Sequence, residues 1–365
     1  MPILEKIVIS DFRNIELQEI EFSPNVNCIS GNNGEGKTNL LDAIYYLSMT
    51  KSAFATSDKF SFRHGTDEFS LSGSYRMENG LLSRFAMKMT SKGEKKVRRD
   101  DKPYTKVSEH LGILPIVMVS PSDISMVSES GEERRRFVNS VLSQMDREYL
   151  SALQQYNRLL LQRNRMLKEA DLDRSLLEVI DMRMATYAEP VFQARRTFVD
   201  ELCPLVAEYY KAISGGSELV DIMYDSELSK ASLDMLLEAS YDKDRVLKYT
   251  SSGVQRDDFI FMMNGHPIRR CGSQGQQKSF LVALKFAQYE IMKRKYGFAP
   301  ILLLDDVFDK LDMGRISNLL QMVASNDFGQ IFITDSNKVR MSGIVDKLTR
   351  DRAYFDTFQG TFTRI

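Results

Sequence analysis

The residues with the clearest chemical content form one short loop near the start of the chain. Residues 31–38 read Gly-Asn-Asn-Gly-Glu-Gly-Lys-Thr and fit the pattern G-x-x-x-x-G-K-[ST]. Glycines in such a loop let consecutive backbone N–H groups converge on phosphate oxygens, and a helix that begins there adds the positive end of its dipole. This phosphate loop predicts a nucleotide site formed by Gly31, Asn32, Asn33, Gly34, Glu35, Gly36, Lys37, Thr38 and Asn39.

Two carboxylates follow the apolar run 301–304, in the pattern of a buried strand that delivers acids to a nucleotide. Asp305 would hold Mg²⁺ together with the Thr38 hydroxyl, while Lys37 would reach the β- and γ-phosphates. Asp306 would orient or deprotonate the attacking water. Apolar strands followed by acids are common in protein cores, so this interpretation depends on the phosphate loop upstream. We therefore expect ATP and Mg²⁺ as cofactors, Thr38 and Asp305 as metal ligands and Asp306 as the catalytic residue.

A third loop, residues 273–277, reads Ser-Gln-Gly-Gln-Gln and precedes a stretch with helical spacing. Its hydroxyl, its glycine N–H and the helix N-terminus could face a phosphate, or the same residues could only cap a helix. The loop resembles the LSGGQ-type signature of ABC ATPases. By that resemblance Ser273, Gly275 and Gln276 contact the γ-phosphate of a nucleotide held by the other protomer. Three motifs in this order predict a P-loop ATPase of the ABC type.

The elements that must position these motifs can also be read from the pattern of apolar residues. Residues 26–30 predict a strand that runs into the phosphate loop, and β-type stretches follow as far as residue 119. Helical spacing extends over 132–168 and 176–213, with a polar link between the two stretches. The C-terminal hundred residues alternate helix and strand.

This organisation predicts an α/β fold, an ABC-type P-loop ATPase head with an inserted helical arm subdomain. We expect residues 1–119 and 250–365 to form the ATPase body and residues 120–249 to form the arm. An ordinary helical subdomain without a separate role is the alternative for the arm, and the pattern leaves it open.

Composition bounds the location and the partners of the protein. The chain has 365 residues, a net charge of −1 and three cysteines at distant positions, so neither a disulfide framework nor a zinc site is indicated. It has no apolar run of about 18 residues and no signal-peptide pattern, and we expect a cytoplasmic protein without a membrane partner. With so little net charge, any nucleic-acid surface must come from local basic runs.

Two basic runs could neutralise phosphates. The first contains Lys88, Lys92, Lys95, Lys96, Arg98 and Arg99, and the second contains Arg134, Arg135 and Arg136. The first could instead be a solvated hairpin tip. The second could be a helix start that contacts the ATPase body or its nucleotide.

Beyond the three loops, the chain resembles the RecF family, the recombination-repair members of the SMC-like ABC ATPases. The resemblance covers nearly the whole chain and rests on residues 11–14, 31–47, 62–65, 120–123, 134–137, 163–165, 256–258, 273–278 and 302–312. It implies heads that pair when ATP is bound, and Arg13 as a nucleotide-binding residue. It also implies binding to single-stranded, gapped or junction DNA with a RecR-like mediator, in recombinational repair, replication restart and the SOS response.

Several positions depart from the ABC pattern. Asp306 stands where ABC proteins carry glutamate, no glutamine occurs within 120–123, and no histidine lies near 331–335. Residues 253–255 read Gly-Val-Gln, where RecF-like proteins often have Gly-Pro-His. Residues 309–312 occupy the D-loop position. We therefore expect a weak, DNA-stimulated ATPase that acts as a switch.

Other classes of ATPase fit the chain less well. A transporter subunit usually has a shorter span between phosphate loop and signature, a structural tether needs hundreds of heptad residues, and a defence nuclease needs a further metal-binding domain. The alternative that stays open is another SMC-like ABC ATPase acting as a structural or defence-system switch.

Overall fold

The computed structural model of the chain describes residues 1–55, 57–129, 131–216, 218–308, 312–324, 328–337 and 351–365. The strands are β1 (Ile3–Phe12), β2 (Ile15–Glu21), β3 (Val26–Ser30), β4 (Glu68–Arg76), β5 (Leu82–Thr90), β6 (Lys95–Arg99), β7 (Lys102–Pro103), β8 (Ile116–Val119), β9 (Val220–Asp225), β10 (Asp258–Met263), β11 (His266–Pro267), β12 (Ile301–Asp305), β13 (Ile331–Asp335), β14 (Arg352–Phe358) and β15 (Thr361–Arg364). The helices are α1 (Lys37–Met49), α2 (Ser125–Ser128), α3 (Gly131–Met145), α4 (Arg147–Met166), α5 (Arg174–Ser214), α6 (Leu233–Ala239), α7 (Tyr241–Leu247), α8 (Ile268–Cys271), α9 (Gln274–Tyr296) and α10 (Met313–Ala324).

The chain packs as two compact units. The first comprises Met1–Asp123, Ala212–Gly215 and Leu281–Ile365, and the second comprises Ile124–Lys211 and Gly216–Phe280. Within the described part of the chain, no helix combines the length and the hydropathy needed to span a bilayer.

The first unit contains a parallel sheet whose strand order is β15-β14-β3-β13-β12-β8. All neighbours in it are parallel except β15, which returns antiparallel along β14. Every residue of β3, β8, β12 and β13 is buried, as expected for strands covered on both faces. Because β3, β13 and β12 are parallel neighbours, their carboxyl ends lie at one edge. That edge carries the phosphate loop, Asp305 at the end of β12 and Asp306 directly after it.

A second sheet in the first unit is antiparallel, in the order β2-β1-β4-β5-β6-β7. Its strands alternate buried and exposed residues, as in β4, where Phe69, Leu71 and Tyr75 are buried and the serines between them are partly exposed. The buried face shares one hydrophobic core with α1 and the parallel sheet. The opposite face, the outer face, is turned to solvent.

The second unit combines long helices with a three-stranded antiparallel sheet, in the order β11-β10-β9. Two buried arginines hold it together internally. Arg163 pairs with Asp181 at 2.7 Å and with Asp244 at 2.6 Å, and Arg195 pairs with Asp257 at 2.6 Å. A buried guanidinium without its carboxylate would be strongly destabilising, so these pairs maintain the arrangement of the helices.

The predicted elements agree with the structure where an apolar pattern is continuous. The strands over 26–30, 116–119 and 301–305 are confirmed, as is a helix over 176–213, which continues through Pro190 and Pro204. The single helical stretch predicted over 132–168 is wrong. It is two helices, α3 and α4, because the side chain of Asp146 accepts hydrogen bonds from the backbone N–H groups of Glu148 and Tyr149 and caps a new helix.

The unit boundaries also differ from the predicted division at residues 120 and 250. The first lies close to the prediction, at Asp123, but the second unit extends to Phe280. The cause is β10, which pairs antiparallel with β9 from Asp258 opposite Asp225 to Met263 opposite Val220. The segment that carries residues 273–277 therefore packs with the helical unit. As a division of function, the boundaries of 1–119, 120–249 and 250–365 stay a prediction.

Candidate nucleotide site

The phosphate loop joins the end of β3 to the start of α1 in a conformation that depends on its glycines. Gly31, Gly34 and Gly36 have φ angles of 154°, 87° and 113°, a backbone conformation that residues other than glycine rarely adopt. A Cβ at Gly31 would lie 2.7 Å from the Thr357 carbonyl oxygen, so this position also needs glycine for space. With α1 beginning at Lys37, the backbone N–H groups at its N-terminus are available to an anion.

Lys37 folds back over the loop. Its Nζ donates hydrogen bonds to the carbonyl oxygens of Gly31 at 2.6 Å and Asn32 at 2.8 Å. Burial lowers the pKa of the Lys37 ammonium, and the nearby carboxylates of Asp306 and Asp305 oppose that shift. The cation is therefore held among acids and carbonyl oxygens at the edge where phosphates are expected.

Thr38 and Asp305 meet across the sheet edge, as the metal-site prediction requires. The Thr38 Oγ1 donates to the two carboxylate oxygens of Asp305 at 3.1 and 2.9 Å. A second hydroxyl, Thr334 Oγ1 at the end of β13, donates to Asp305 Oδ1 at 2.6 Å. Burial raises the pKa of the Asp305 carboxyl, and the hydrogen bonds from Thr334 and Thr38 oppose the shift. Hydroxyl and carboxylate oxygens are the ligands that Mg²⁺ prefers, so this pair fits the metal.

Asp306 follows directly after the strand and turns away from its path. Its φ angle is 46°, in the left-handed region, and its backbone N–H donates to the Thr334 hydroxyl at 3.1 Å. The neighbouring strand therefore holds Asp306 in a conformation that few non-glycine residues adopt. This turn separates the two acids: Asp305 faces Thr38, and Asp306 is partly exposed at the sheet edge.

A set of hydrogen bonds, the clasp, fixes the phosphate loop to two neighbouring turns. The Glu35 carbonyl accepts hydrogen bonds from the Gly360 N–H at 2.8 Å and from Asn14 Nδ2 at 3.2 Å. The Glu35 carboxylate accepts another from the Gln359 N–H. Asn14 in turn accepts a hydrogen bond from Asn39 Nδ2 at 2.7 Å. The turn between β14 and β15 and the turn between β1 and β2 thus both support the loop.

Of the residues that form the clasp, Glu35 and Asn39 are predicted site residues, whereas Asn14, Gln359 and Gly360 are not, and neither is Thr334. Thr334 could have been found, because residues 331–335 repeat the pattern of an apolar run that ends in a polar pair, as residues 301–306 do. Asn14 belongs to residues 11–14, which carry part of the family resemblance, but nothing in the sequence places it beside Glu35. The Gln359-Gly360 turn has no local signal that links it to a loop 324 residues earlier.

Arg13 lies near the loop but makes a different contact. Its guanidinium pairs with Asp42 of α1 at 2.7 Å and donates to Ser52 Oγ at 3.0 Å. Burial raises the pKa of the Asp42 carboxyl, and the charge of Arg13 opposes that shift. Arg13 therefore anchors the β1–β2 turn to α1, and its contact with nucleotide stays a prediction.

The predicted signature residues lie in the second unit, at the start of α9. The Ser273 N–H donates to Gln276 Oε1 at 2.8 Å, and the Gln276 N–H lies 3.3 Å from the Ser273 hydroxyl. This reciprocal arrangement is a capping box, so the loop caps helix α9, and its contact with a phosphate stays a prediction. Ser273 is nevertheless exposed and Gly275 is partly exposed, which leaves the helix N-terminus open to a ligand.

A family model described as "RecF/RecN/SMC N terminal domain" matches residues 3–353 of the chain. A curated relative from Parabacteroides distasonis, named "DNA replication and repair protein RecF", is 43% identical over 98% of both chains. A relative of the same name from Bacteroides thetaiotaomicron is 41% identical over all of this chain and 99% of its own length.

The chain belongs to the RecF family.

Solved structures agree with this assignment. "Structure of the recombination mediator protein RecF-ATP in RecFOR pathway" superposes with a TM-score of 0.90 and 29% identity, covering 100% of this chain and 98% of the other. An Smc head domain from Pyrococcus furiosus has a TM-score of 0.59 at 15% identity, covers 100% of this chain and 96% of the other, and shows the fold alone. The predicted fold class, an ABC-type head of the RecF and SMC group, is confirmed.

Two further positions were expected to matter in a RecF-type head. At residues 120–123, where other ABC proteins place a glutamine, the Ser120 N–H donates to Asp123 Oδ2 at 2.7 Å, and Asp123 pairs with Lys285 at 3.0 Å. In the D-loop stretch, residues 309–311 lie outside the described part of the chain. Asp312 is described, and its carboxylate accepts a hydrogen bond from the Arg315 N–H at 2.9 Å.

Proposed function

We propose that this RecF-family protein is an ATP-controlled DNA-binding switch in DNA repair. The observation that carries the proposal is the meeting of Thr38 and Asp305, 2.9 Å apart, at the mouth of a glycine-dependent phosphate loop. The two residues lie 267 positions apart in the chain and meet at the edge that carries the phosphate loop. Their contact supports a Mg²⁺-nucleotide site at this edge.

ATP would be held by the backbone N–H groups of residues 31–39 and by the Lys37 ammonium, which would exchange its two carbonyl partners for phosphate oxygens. Mg²⁺ would be held by Thr38 directly and by Asp305 through water, and when bound it neutralises phosphate charge. Asp306 would accept the proton of the attacking water or orient that water. The aspartate is one methylene shorter than the usual glutamate, and weak hydrolysis follows from its shorter reach.

Each site would be completed by a second copy of the chain, through the Ser273 hydroxyl, the Gly275 N–H and the amide of Gln276. An exposed helix N-terminus whose serine is already in the capping geometry suits a phosphate brought by a partner. ATP would then cause homodimerisation, and hydrolysis would release the dimer.

The dimer would act on single-stranded, gapped or junction DNA with a RecR-like mediator, in recombinational repair, replication restart and the SOS response. Two observations support this part of the proposal: the relatives at 41–43% identity are named DNA replication and repair proteins, and the RecF-ATP structure is described as a recombination mediator. DNA-stimulated hydrolysis and a cytoplasmic location complete the proposal.

The test compares wild type with Lys37→Ala and with Lys59→Ala, an exposed lysine of the same unit that serves as the control. Molar mass in solution with ATP and Mg²⁺ should double for wild type and for the control, and should stay monomeric for Lys37→Ala. Binding to gapped, single-stranded and duplex DNA at several salt concentrations should require ATP in the first two proteins.

Wild-type dimerisation by Lys37→Ala would overturn the nucleotide-site assignment. ATP-dependent dimerisation of wild type without affinity for any of the DNAs would favour the alternative, an SMC-like switch that acts on another partner.

A further inference from the structure

Two glutamine side chains of α9 hold the peptide group that precedes Ser273. The Gly272 carbonyl accepts a hydrogen bond from Gln277 Nε2 at 2.8 Å, and the Ser273 N–H donates to Gln276 Oε1 at 2.8 Å. The Gln276 N–H donates in turn to the Ser273 hydroxyl oxygen at 3.3 Å. Because the hydroxyl oxygen accepts this bond, its own hydrogen can be donated to a further acceptor. The loop therefore presents Ser273 as a donor.

The side-chain amide of Gln276 has a second partner at its other end. Its Nε2 donates to Glu218 Oε1 at 2.7 Å, and Glu218 lies 58 residues earlier in the chain, in none of the predicted motifs. An amide fits a site in two orientations that exchange its oxygen and its nitrogen, so its neighbours decide between them. The carboxylate of Glu218 accepts hydrogen bonds and the Ser273 N–H donates one. The reversed amide would meet like groups at both ends, so Glu218 fixes the orientation of Gln276.

The backbone beside Glu218 is itself held in place. The Leu219 N–H donates to Asn264 Oδ1 at 2.9 Å, and the Leu219 carbonyl accepts from the Asn264 N–H at 2.8 Å. Asn264 lies in the turn between β10 and β11 with a φ angle of 49°. From that turn the chain continues through β11 and α8 to Ser273. The same turn therefore anchors Glu218 and begins the segment that carries the predicted signature residues.

A purely structural role for Glu218 has a different physical basis. The capping box of α9 needs only the bonds within residues 273–276. A carboxylate that contacts the first turn of a helix can also stabilise that helix through its charge, because it faces the positive end of the helix dipole. That effect depends on the negative charge of Glu218. Orientation of Gln276 depends on the acceptor oxygen, and an uncharged amide at position 218 would retain it.

We propose that Glu218 is a positioning residue of the nucleotide site. It orients the Gln276 amide, which holds the Ser273 N–H, so that the Ser273 hydroxyl and the second Nε2–H of Gln276 are offered to a γ-phosphate. Glu218 itself touches no nucleotide, because its carboxylate would repel a phosphate. This inference rests on the proposed function, in which the signature loop of one copy completes the site of the other. It deepens that function by naming a residue that prepares the loop before the second copy arrives.

The first experiment compares Glu218→Ala with a matched control, Glu189→Ala. Glu189 accepts a hydrogen bond of the same kind from Gln193 Nε2, at 2.8 Å, on α5. In dilute protein, Glu218→Ala should bind a fluorescent ATP analogue with wild-type affinity, because its phosphate loop is unchanged. Its ATP-dependent dimerisation should be weaker by roughly tenfold or more, the effect of losing a hydrogen bond to a charged group. The control should match wild type in both measurements.

A second variant, Glu218→Gln, separates orientation from charge. It keeps an acceptor oxygen for Gln276 Nε2 and removes the negative charge. Dimerisation in ATP should therefore return close to the wild-type level, whereas a role through the helix dipole would leave Glu218→Gln as weak as Glu218→Ala. Thermal unfolding of all three variants shows whether the fold is intact.

Mixing experiments show to which half of the composite site Glu218 belongs. With Lys37→Ala, a mixed dimer joins the intact phosphate loop of Glu218→Ala to an intact signature loop, so hydrolysis should rise. With Ser273→Arg, in which a bulky cation blocks the helix N-terminus, both sites of a mixed dimer have a defective signature loop. Hydrolysis should then stay at the level of Glu218→Ala.

Three results would overturn the inference. These are wild-type dimerisation by Glu218→Ala, a loss of equal size in Glu189→Ala or Glu218→Gln, and recovery of hydrolysis with Ser273→Arg in place of Lys37→Ala. Failure of the proposed function is a different observation, because the wild-type protein itself would then stay monomeric in ATP.

Discussion

At the scale of single residues, Gly360 is the position where the clasp has least room for an added side chain. Its φ angle is 78°, and a Cβ there would lie 2.4 Å from the Asn14 carbonyl oxygen. We expect Gly360→Ala to displace Asn14 or Glu35 and to weaken ATP binding roughly tenfold or more, since a shift of about 1 Å in a positioned site can cost about 10²-fold. Titration with a fluorescent ATP analogue measures the loss.

Gly80→Ala is the control for that variant. Gly80 has a φ angle of 77° but nothing within 4 Å of the added Cβ, so it carries the same backbone cost, about 1–2 kcal/mol, without the collision. It should lose stability and keep its affinity for ATP. Equal affinities in the two variants would show that the clasp does not position the phosphate loop.

A substitution at Asp306 can separate the binding of ATP and Mg²⁺ from hydrolysis. We expect Asp306→Asn to keep ATP and Mg²⁺ affinity and to slow hydrolysis by about 10²-fold or more, because the change removes a base while preserving shape. Asparagine also tolerates the left-handed conformation of this residue better than most side chains. Single-turnover hydrolysis measures the rate, and the ATP dimer should last longer. Turnover at the wild-type rate would place the base elsewhere.

The parts of the site that could be predicted from sequence are those whose chemistry is contiguous. The phosphate loop and the pair Asp305-Asp306 each lie within one short segment, so residue type and order were enough. Asn14 and Gly360 reach the site only through the order of the strands in the folded sheets. A single sequence contains no signal for that order, so their roles had to wait for the structure.

At the scale of elements, the short helix Val107–His110 gives the first unit a sensitivity to acid. His110 is fully buried, its Nε2 lies 2.6 Å from the Leu47 carbonyl, and its ring packs against Phe85 and Tyr104. Burial lowers the pKa of His110 to about 4 from an ordinary value of 6.5. The folded protein therefore keeps this ring neutral under conditions in which the unfolded chain protonates it.

The sign of the effect follows from that difference. Between about pH 6.5 and 4 the unfolded state binds a proton that the folded state does not, so stability falls as the pH falls. From pH 7.5 to 5, His110 should account for a loss of about 2 kcal/mol. Urea unfolding at both pH values should show a smaller loss for His110→Gln than for wild type and for His64→Gln, a variant at an exposed histidine. Equal losses in all three would remove His110 as the cause.

Elements themselves were predictable where periodicity was long and were missed where a polar residue interrupted it. The break at Asp146 depends on one side chain that satisfies two backbone N–H groups, and the helical spacing on both sides conceals it. Strand β9 was missed because its six residues alternate only weakly and need β10 as a partner. Short strands become recognisable only through pairing, which also explains why the predicted boundary at residue 250 differs from the packing.

At the scale of the whole molecule, the proposed site requires two copies of the chain. Lys37→Ala and Ser273→Arg should each be inactive as pure proteins, the first for loss of phosphate contacts and the second because a bulky cation blocks the helix N-terminus. Mixed in ATP, they form dimers in which one site carries both defects and the other carries none. Hydrolysis should return in proportion to the mixed dimers if a single site suffices.

If the first mixture shows no hydrolysis, a double variant distinguishes two explanations. Either each protomer completes its own site, or the two sites work only together. Lys37→Ala/Ser273→Arg mixed with wild type leaves an intact site only if each protomer completes its own. Activity per mixed dimer in that mixture, together with none in the first, would establish a site within one chain. If neither mixture hydrolyses ATP although mixed dimers are shown to form, the two sites work only together.

The strand that leads into the phosphate loop also constrains how the protein is made. β3 is synthesised early, yet its two neighbours in the sheet are β13 and β14, and the Gln359 N–H that holds Glu35 lies 324 residues further along the chain. At about 5–20 residues per second, the ribosome needs on the order of tens of seconds to supply them. Until then β3 has two unpaired edges and the loop has no clasp. A nascent or truncated chain that lacks β13, β14 and Gln359 should therefore be unable to bind ATP, and nucleotide binding becomes a sign that these elements have been synthesised and paired.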